Sequence, residues 1–303
     1  MDVATLQNEI RTLLRTRNAI LIAHYYQQDE IQEIADLLGD SLALSIEAAR
    51  TDAEVIVFAG VHFMAESAAI VSPEKTVLLP RPDAGCPLAD MITPEQLTQA
   101  RREHPNAAVV TYVNSTAAIK AQSDICCTSA NAVKVVNSLT EAREVLMIPD
   151  GNLARYTAKF TDKKIVPWYG YCPVHHFLTP EEVLRTKALH PGAPLAVHPE
   201  CRAEVLALAD FVGSTTGIIG FAAKSPVREI IIGTEEGVIV KLKKESPEKT
   251  FIPVSEKLVC RTMKLNTLED IRDTLREMKN VIRVPEEIRI PAKRALDRML
   301  ALG

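Results

Sequence analysis

The sequence predicts an α/β protein: three homologous three-layer αβα units related by pseudo-threefold symmetry around a central active site. Three observations predict it. Short β-branched runs alternate with helical stretches, the pattern of a mostly parallel sheet with helices on both faces. Four threonines that head helix-like runs, Thr5, Thr93, Thr179 and Thr267, stand 88, 86 and 88 residues apart. That spacing makes the chain three copies of one unit plus the start of a fourth. Counted from these threonines, polar residues recur at fixed offsets, whereas a repeat kept only for its core would preserve apolar ones. The expected units are 1–88, closed by the C-terminal segment 267–303, then 89–176 and 177–266.

Each threonine heads a capping pattern, with an acid or amide in the next three positions, and Pro94 and Pro180 suit a first helical turn. In the second copy the helix "PEQLTQARRE" leads to the strand "AAVVTYV". A helix "TAAIKAQ", a strand "DICC", a helix near "ANAVKVV", a strand "EVLMI", a helix "NLARYTAKF" and a strand "KIV" follow. The first copy is looser between its first two strands. In the third copy "GTEEGVIVKLKKESPEKTFIPV" (233–254) reads as a hairpin, with the Lys-rich stretch at 241–250 as solvated hairpin or loop. His104 and His190, each before a proline at the same offset, read as helix ends.

Composition narrows the function. With 303 residues, 47% hydrophobic and 24% charged, the chain is long enough for two or three packed units. A net charge of -4 offers no basic field for nucleic acid. No apolar run has the length of a membrane span, and the N-terminus carries no cleavable apolar core. A cytoplasmic protein is expected, and its six cysteines should stay reduced. Metal binding, catalysis or plain burial then compete to explain them.

Three cysteines keep the ruler. Cys86, Cys172 and Cys260 each precede a helix-heading threonine by seven residues, in "GCPLADMITPEQL", "YCPVHHFLTPEEV" and "VCRTMKLNTLEDI". At offset +19 stand His24, Tyr112 and His198, each near the end of a strand. At +21 stand Tyr26, Asn114 and Glu200, and at +36 the hydroxyl residues Ser41, Ser129 and Thr215. Ligands of open α/β sheets sit beyond the carboxyl ends of strands, where helix starts also favour anions. Three units around one axis would bring these groups to one cavity. Three converging thiolates ask for a soft metal. Zinc with His175 as fourth ligand and an iron–sulfur cluster with one open iron both satisfy that request. Cys126, Cys127 and Cys201 have no counterparts in the other copies and read as structural.

Taken together, "AHYYQ", "TYVNS", "VHPEC", "GST" and "MKLNTLE" resemble the quinolinate synthase family over essentially the whole chain. The resemblance implies a condensation of iminoaspartate with dihydroxyacetone phosphate to quinolinate, in NAD biosynthesis. It implies a [4Fe–4S] cluster on Cys86, Cys172 and Cys260. It further implies iminoaspartate contacts at His24, Ser41, Tyr112, Asn114, Ser129, His198, Glu200 and Thr215, with Tyr26 and His175 close by. Glu200 is the leading candidate general base, with His198, His24, Tyr26, Tyr112 and His175 as further acids and bases. A functional link to an aspartate oxidase or dehydrogenase is expected. Two rival functions follow from the same thiolates: a zinc-dependent lyase or hydrolase, and a non-catalytic metal-binding sensor.

Overall fold

The computed structural model describes residues 2–302. The first unit runs α1 (Val3–Thr16), β1 (Ala19–His24), α2 (Asp29–Ile34), β2 (Leu37–Gly39), α3 (Ser41–Arg50), β3 (Val55–Ala59), α4 (His62–Val71) and β4 (Thr76–Leu78). The second repeats it as α5 (Pro94–Glu103), β5 (Ala108–Tyr112), α6 (Ala117–Ala121), β6 (Ile125–Cys127), α7 (Ala132–Ser138), β7 (Glu144–Ile148), α8 (Gly151–Thr157) and β8 (Lys164–Pro167). A short helix, α9 (Pro173–His176), leads into the third. That unit is α10 (Pro180–Leu189), β9 (Leu195–Val197), α11 (Ala203–Leu206), β10 (Phe211–Val212), α12 (Thr215–Lys224), β11 (Glu229–Gly233), α13 (Val238–Glu245) and β12 (Thr250–Pro253). Two helices, α14 (Leu268–Glu277) and α15 (Glu286–Leu300), close the chain.

Each unit holds a four-stranded sheet of the same order: β2-β1-β3-β4, β6-β5-β7-β8 and β10-β9-β11-β12. Every strand pair is parallel. The α/β class and the threefold repeat of αβα units are therefore as the sequence predicts. Strands of a parallel sheet are buried on both faces, which is why β3 reads as the unbroken apolar run "VIVFA".

The repeat is visible down to single hydrogen bonds. Thr93, Thr179 and Thr267 each form a complete capping box with the third helical residue. An aspartate at offset +31 accepts a strand N–H in every unit: Asp36 from Leu21, Asp124 from Val109 and Asp210 from Leu195, at 2.7–2.8 Å. A lysine at offset +70 closes the C-terminus of the helix after the second strand. Lys75 reaches the carbonyls of Thr51 and Ala53, Lys163 those of Leu139 and Ala142, and Lys249 those of Ala222 and Ser225. A cation there satisfies orphan carbonyls and opposes the helix dipole.

Two expectations are corrected. Thr5 heads no helix: α1 begins one turn earlier, capped by Asp2, and the Thr5 hydroxyl donates to Asp2 Oδ2 at 2.7 Å. The stretch 233–254 is no hairpin, because β11 and β12 run parallel and require a crossover, which α13 provides. Alternation in "VIVKLK" suggests a strand, yet Val238 and Leu242, four apart, are the buried pair of a helix. Lys249, inside the stretch taken as solvated, is the capping lysine just described. The two remaining histidine expectations fit: His104 and His190 are the C-cap residues of α5 and α10.

The C-terminal helices bind different parts of the molecule. Leu268, Ile271 and Leu275 of α14 share a core with Leu6, Ile10 and Leu14 of α1. Each such buried side chain contributes roughly 1.5–3 kcal/mol. Helix α15 lies against α6, β6 and α4 instead, burying Ala292, Ala295, Leu296 and Met299.

Candidate active site

The carboxyl ends of the three sheets open on one cavity. Its wall contains all thirteen residues selected from the sequence: His24, Tyr26 and Ser41 with Cys86, then Tyr112, Asn114 and Ser129 with Cys172 and His175, then His198, Glu200 and Thr215 with Cys260. Cys126, Cys127 and Cys201 are fully buried and do not line it.

The cysteines sit in equivalent loops. Each is followed by a short helical turn, Ala89–Met91, Pro173–His176 or Met263–Leu265. In each loop the backbone N–H three residues on, that of Ala89, His175 or Met263, partly offsets the rise of the thiol pKa. Burial pushes the Cys86 thiol up to about 12 and raises those of Cys172 and Cys260. Negative charge on one sulfur further raises its neighbours. Without a cation the three are neutral thiols; as thiolates they need a metal between them. The donor set, soft and threefold, therefore fits a metal–sulfur group.

The loop of Cys260 is gripped from the first unit. Gln28 Nε2 donates to the carbonyls of Lys264 and Asn266 at 3.1 and 2.7 Å, and Asn266 Nδ2 donates to Gly60 O at 2.9 Å. The loop of Cys172 is zipped to the end of β7, where Gly151 N donates to Gly170 O at 2.8 Å.

A chain of hydrogen-bonding groups crosses the cavity. The Tyr26 hydroxyl lies 2.9 Å from both Thr215 Oγ1 and Thr234 Oγ1. Thr234 Oγ1 meets His175 Nε2 at 2.9 Å. His175 Nδ1 approaches Glu200 Oε2 at 2.6 Å, with its N–H off the line of a hydrogen bond. The same oxygen lies 3.3 Å from His198 Nδ1, and His198 Nε2 is 3.2 Å from Ser129 Oγ. Glu200 Oε1 and Asn114 Oδ1 are buried with no protein partner. Unpaired buried acceptors mark where a ligand is expected.

Electrostatics divides the roles. Burial alone would raise the Glu200 carboxyl, but His198 and His175 beside it hold it well below the usual range. Burial lowers the His24 imidazole to about 4, so His24 is neutral in the resting site. Its Nδ1 accepts from the Tyr26 N–H at 3.1 Å, leaving Nε2 as the donor. His175 is also lowered, by burial first and then by His198. The Tyr26 and Tyr112 phenols are raised by burial and remain protonated donors.

The hydroxyls at +36 are not the helix caps. Asp40 caps α3 and Ser214 caps α12, one position earlier, which leaves Ser41 and Thr215 available to the cavity. Reading the ruler at +35 would have found Asp40, Thr128 and Ser214. Thr234 was missed with no such signal, because glycine and proline (Gly60 and Pro149) occupy the matching positions after the third strands of the other copies. Cys172, His175 and Glu200 present ligand atoms within 4.8 Å of one another. Both His175 nitrogens already face protein groups, however, which disfavours it as the fourth ligand of a zinc site.

A family model described as "Quinolinate synthetase A protein" matches residues 8–301. A quinolinate synthase of Geotalea uraniireducens is 62% identical over 297 residues, covering 98% of this chain and 97% of that protein. Quinolinate synthase 1 of Methanosarcina acetivorans is 57% identical over 302 residues, covering 100% and 99%. The quinolinate synthase of Dehalococcoides mccartyi is 54% identical over 295 residues, covering 97% of each chain.

Proposed function

The chain belongs to the quinolinate synthetase A family, and from that membership we propose that it condenses iminoaspartate with dihydroxyacetone phosphate to form quinolinate. Atom balance requires loss of one phosphate and two waters. The observation that carries the reading is a single cavity whose wall holds the three thiols and the ten polar groups selected from the sequence, with a set from each unit. Cys86, Cys172 and Cys260 would hold a [4Fe–4S] cluster. When bound, that group supplies an iron without a protein ligand, a Lewis acid toward substrate oxygen or nitrogen.

The protein's own groups do the rest. Ser41 and Thr215 stand in the first turns of α3 and α12, where unpaired N–H groups and the dipole favour a substrate carboxylate. Ser129, Asn114, Tyr112 and neutral His24 supply further hydrogen bonds for iminoaspartate. Glu200 presents its unpaired oxygen to substrate and acts as the leading base. Its other oxygen lies 2.6 Å from His175 Nδ1 and 3.3 Å from His198 Nδ1, so a proton taken up by Glu200 has a path to either imidazole. Thr234 and Tyr26 extend that path to the opposite wall, where the phenol can donate to a departing oxygen. Dehydration and ring closure both need such traffic. Reduced thiols suit the cytoplasm, and iminoaspartate would come from an aspartate oxidase or dehydrogenase.

The test is direct. Protein prepared without air, given both substrates, should release quinolinate and inorganic phosphate in a one-to-one ratio. Phosphate release without quinolinate would defeat the assignment.

A further inference from the structure

Resting on the cluster reading above, we propose that Asp150 and Glu235 are positioning residues that lock the loops of Cys172 and Cys260 in their metal-receiving conformation. Each acid stands two residues past the end of the third strand of its unit, beyond β7 and β11 respectively. Both are essentially excluded from solvent, at 1% and 0% exposure. Asp150 Oδ2 accepts the Cys172 N–H at 3.0 Å while Oδ1 accepts that of Leu153 at 2.7 Å. Glu235 Oε1 accepts the Cys260 N–H at 3.0 Å while Oε2 accepts that of Gly237 at 2.7 Å. Two different acids thus make the same pair of bonds, one to the following turn and one to the cysteine itself.

The first unit lacks the device. Val61 occupies the matching place after β3, and the loop there is tied by main chain, His62 N to Ala84 O at 2.8 Å. The clamp is therefore no general requirement of the fold.

Chemistry explains the choice of acid. Both oxygens accept from N–H groups, a task that a carboxylate performs and a side-chain amide cannot. Asparagine or glutamine would turn an NH₂ toward one of the two donors and leave it unpaired. A buried carboxylate beside a future thiolate is electrostatically costly, and Lys264, 3.4 Å from Glu235, offsets only one of the two. What the acids provide is a two-point hold on the residue that must meet the metal. Groups behind a metal ligand commonly change metal affinity by about 10- to 100-fold.

The experiment compares Asp150→Asn and Glu235→Gln, both near-isosteric, with the parent and with Asp36→Asn, the same acid-to-amide change far from the cavity at a carboxylate that accepts one N–H. Cluster-loaded proteins are challenged anaerobically with a ferrous chelator, and iron release and the resonance spectrum of the reduced cluster are recorded. Release on the order of tenfold faster in both variants, with an altered spectrum, is expected. Asp36→Asn should release iron at the parent's rate, and any loss of melting temperature in the metal-free variants should not track the change in iron release. Release at the parent's rate in a loaded variant overturns the role of that acid. A metal-free variant that melts lower in proportion to its cluster loss assigns the acid to the fold and also overturns it. A parent without sulfide would instead defeat the cluster reading itself, and this inference with it.

Discussion

Glu200 concentrates the chemistry of single residues. Its two oxygens differ: one is shared between His175 and His198, the other is buried and unpaired. Glu200→Gln removes the charge and keeps the shape. It should lower turnover about 10²- to 10⁴-fold with iron content unchanged, and near-normal turnover would remove Glu200 as the base. His24 carries a second prediction, about pH. Its folded-state value is depressed to about 4, so below its ordinary value the unfolded chain binds a proton that the native state refuses. The contribution of His24 to stability is thus complete above about pH 6.5 and falls as pH drops toward 4. Melting of the metal-free protein across that window should be flatter in His24→Gln. An identical pH dependence would contradict this. At this scale the sequence was legible because three copies vote at each offset. The same vote also elects Asp36, Asp124 and Asp210 and the lysines at +70, which serve strands and helix ends. Repetition marks polar importance without separating site from scaffold.

Whole elements were readable wherever local signals and tertiary demands agreed. The capping boxes at Thr93, Thr179 and Thr267 are complete; Thr179→Ala should cost about 1 kcal/mol, seen as a lowered Tm. The misread α13 shows the opposite case. Its β-branched residues favour a strand, but a parallel β11–β12 pair demands a crossover, and topology overrides propensity. Close backbone approach in the cysteine loops gives a sharper element-scale prediction. A Cβ on Gly151 would meet Trp168 O at 2.2 Å, whereas one on Gly85 meets nothing within 4 Å. Gly151→Ala should cost on the order of 1–3 kcal/mol and loosen the Cys172 loop, while Gly85→Ala should melt like the parent. Equal melting of the two variants would mean that the loop contact is easily relieved.

The whole molecule is a threefold scaffold with an asymmetric interior. The three sheets share one strand order, and each unit delivers one cysteine to the common cavity. Function breaks the symmetry: only the second unit supplies His175, only the third supplies Glu200 and Thr234, and carboxylate clamps exist on two cysteines of three. Offsets revealed the shared part. The rest depends on contacts that the offsets do not show, between residues 22 and 25 positions apart in the two clamps and 59 or more apart where His175 meets Thr234 and Tyr26 meets Thr215. The measurement closest to the central claim is iron and acid-labile sulfide per chain in protein prepared without air. About four of each, lost together in the triple Cys86/Cys172/Cys260→Ala variant, is the predicted result. Near one zinc per chain without sulfide would contradict it.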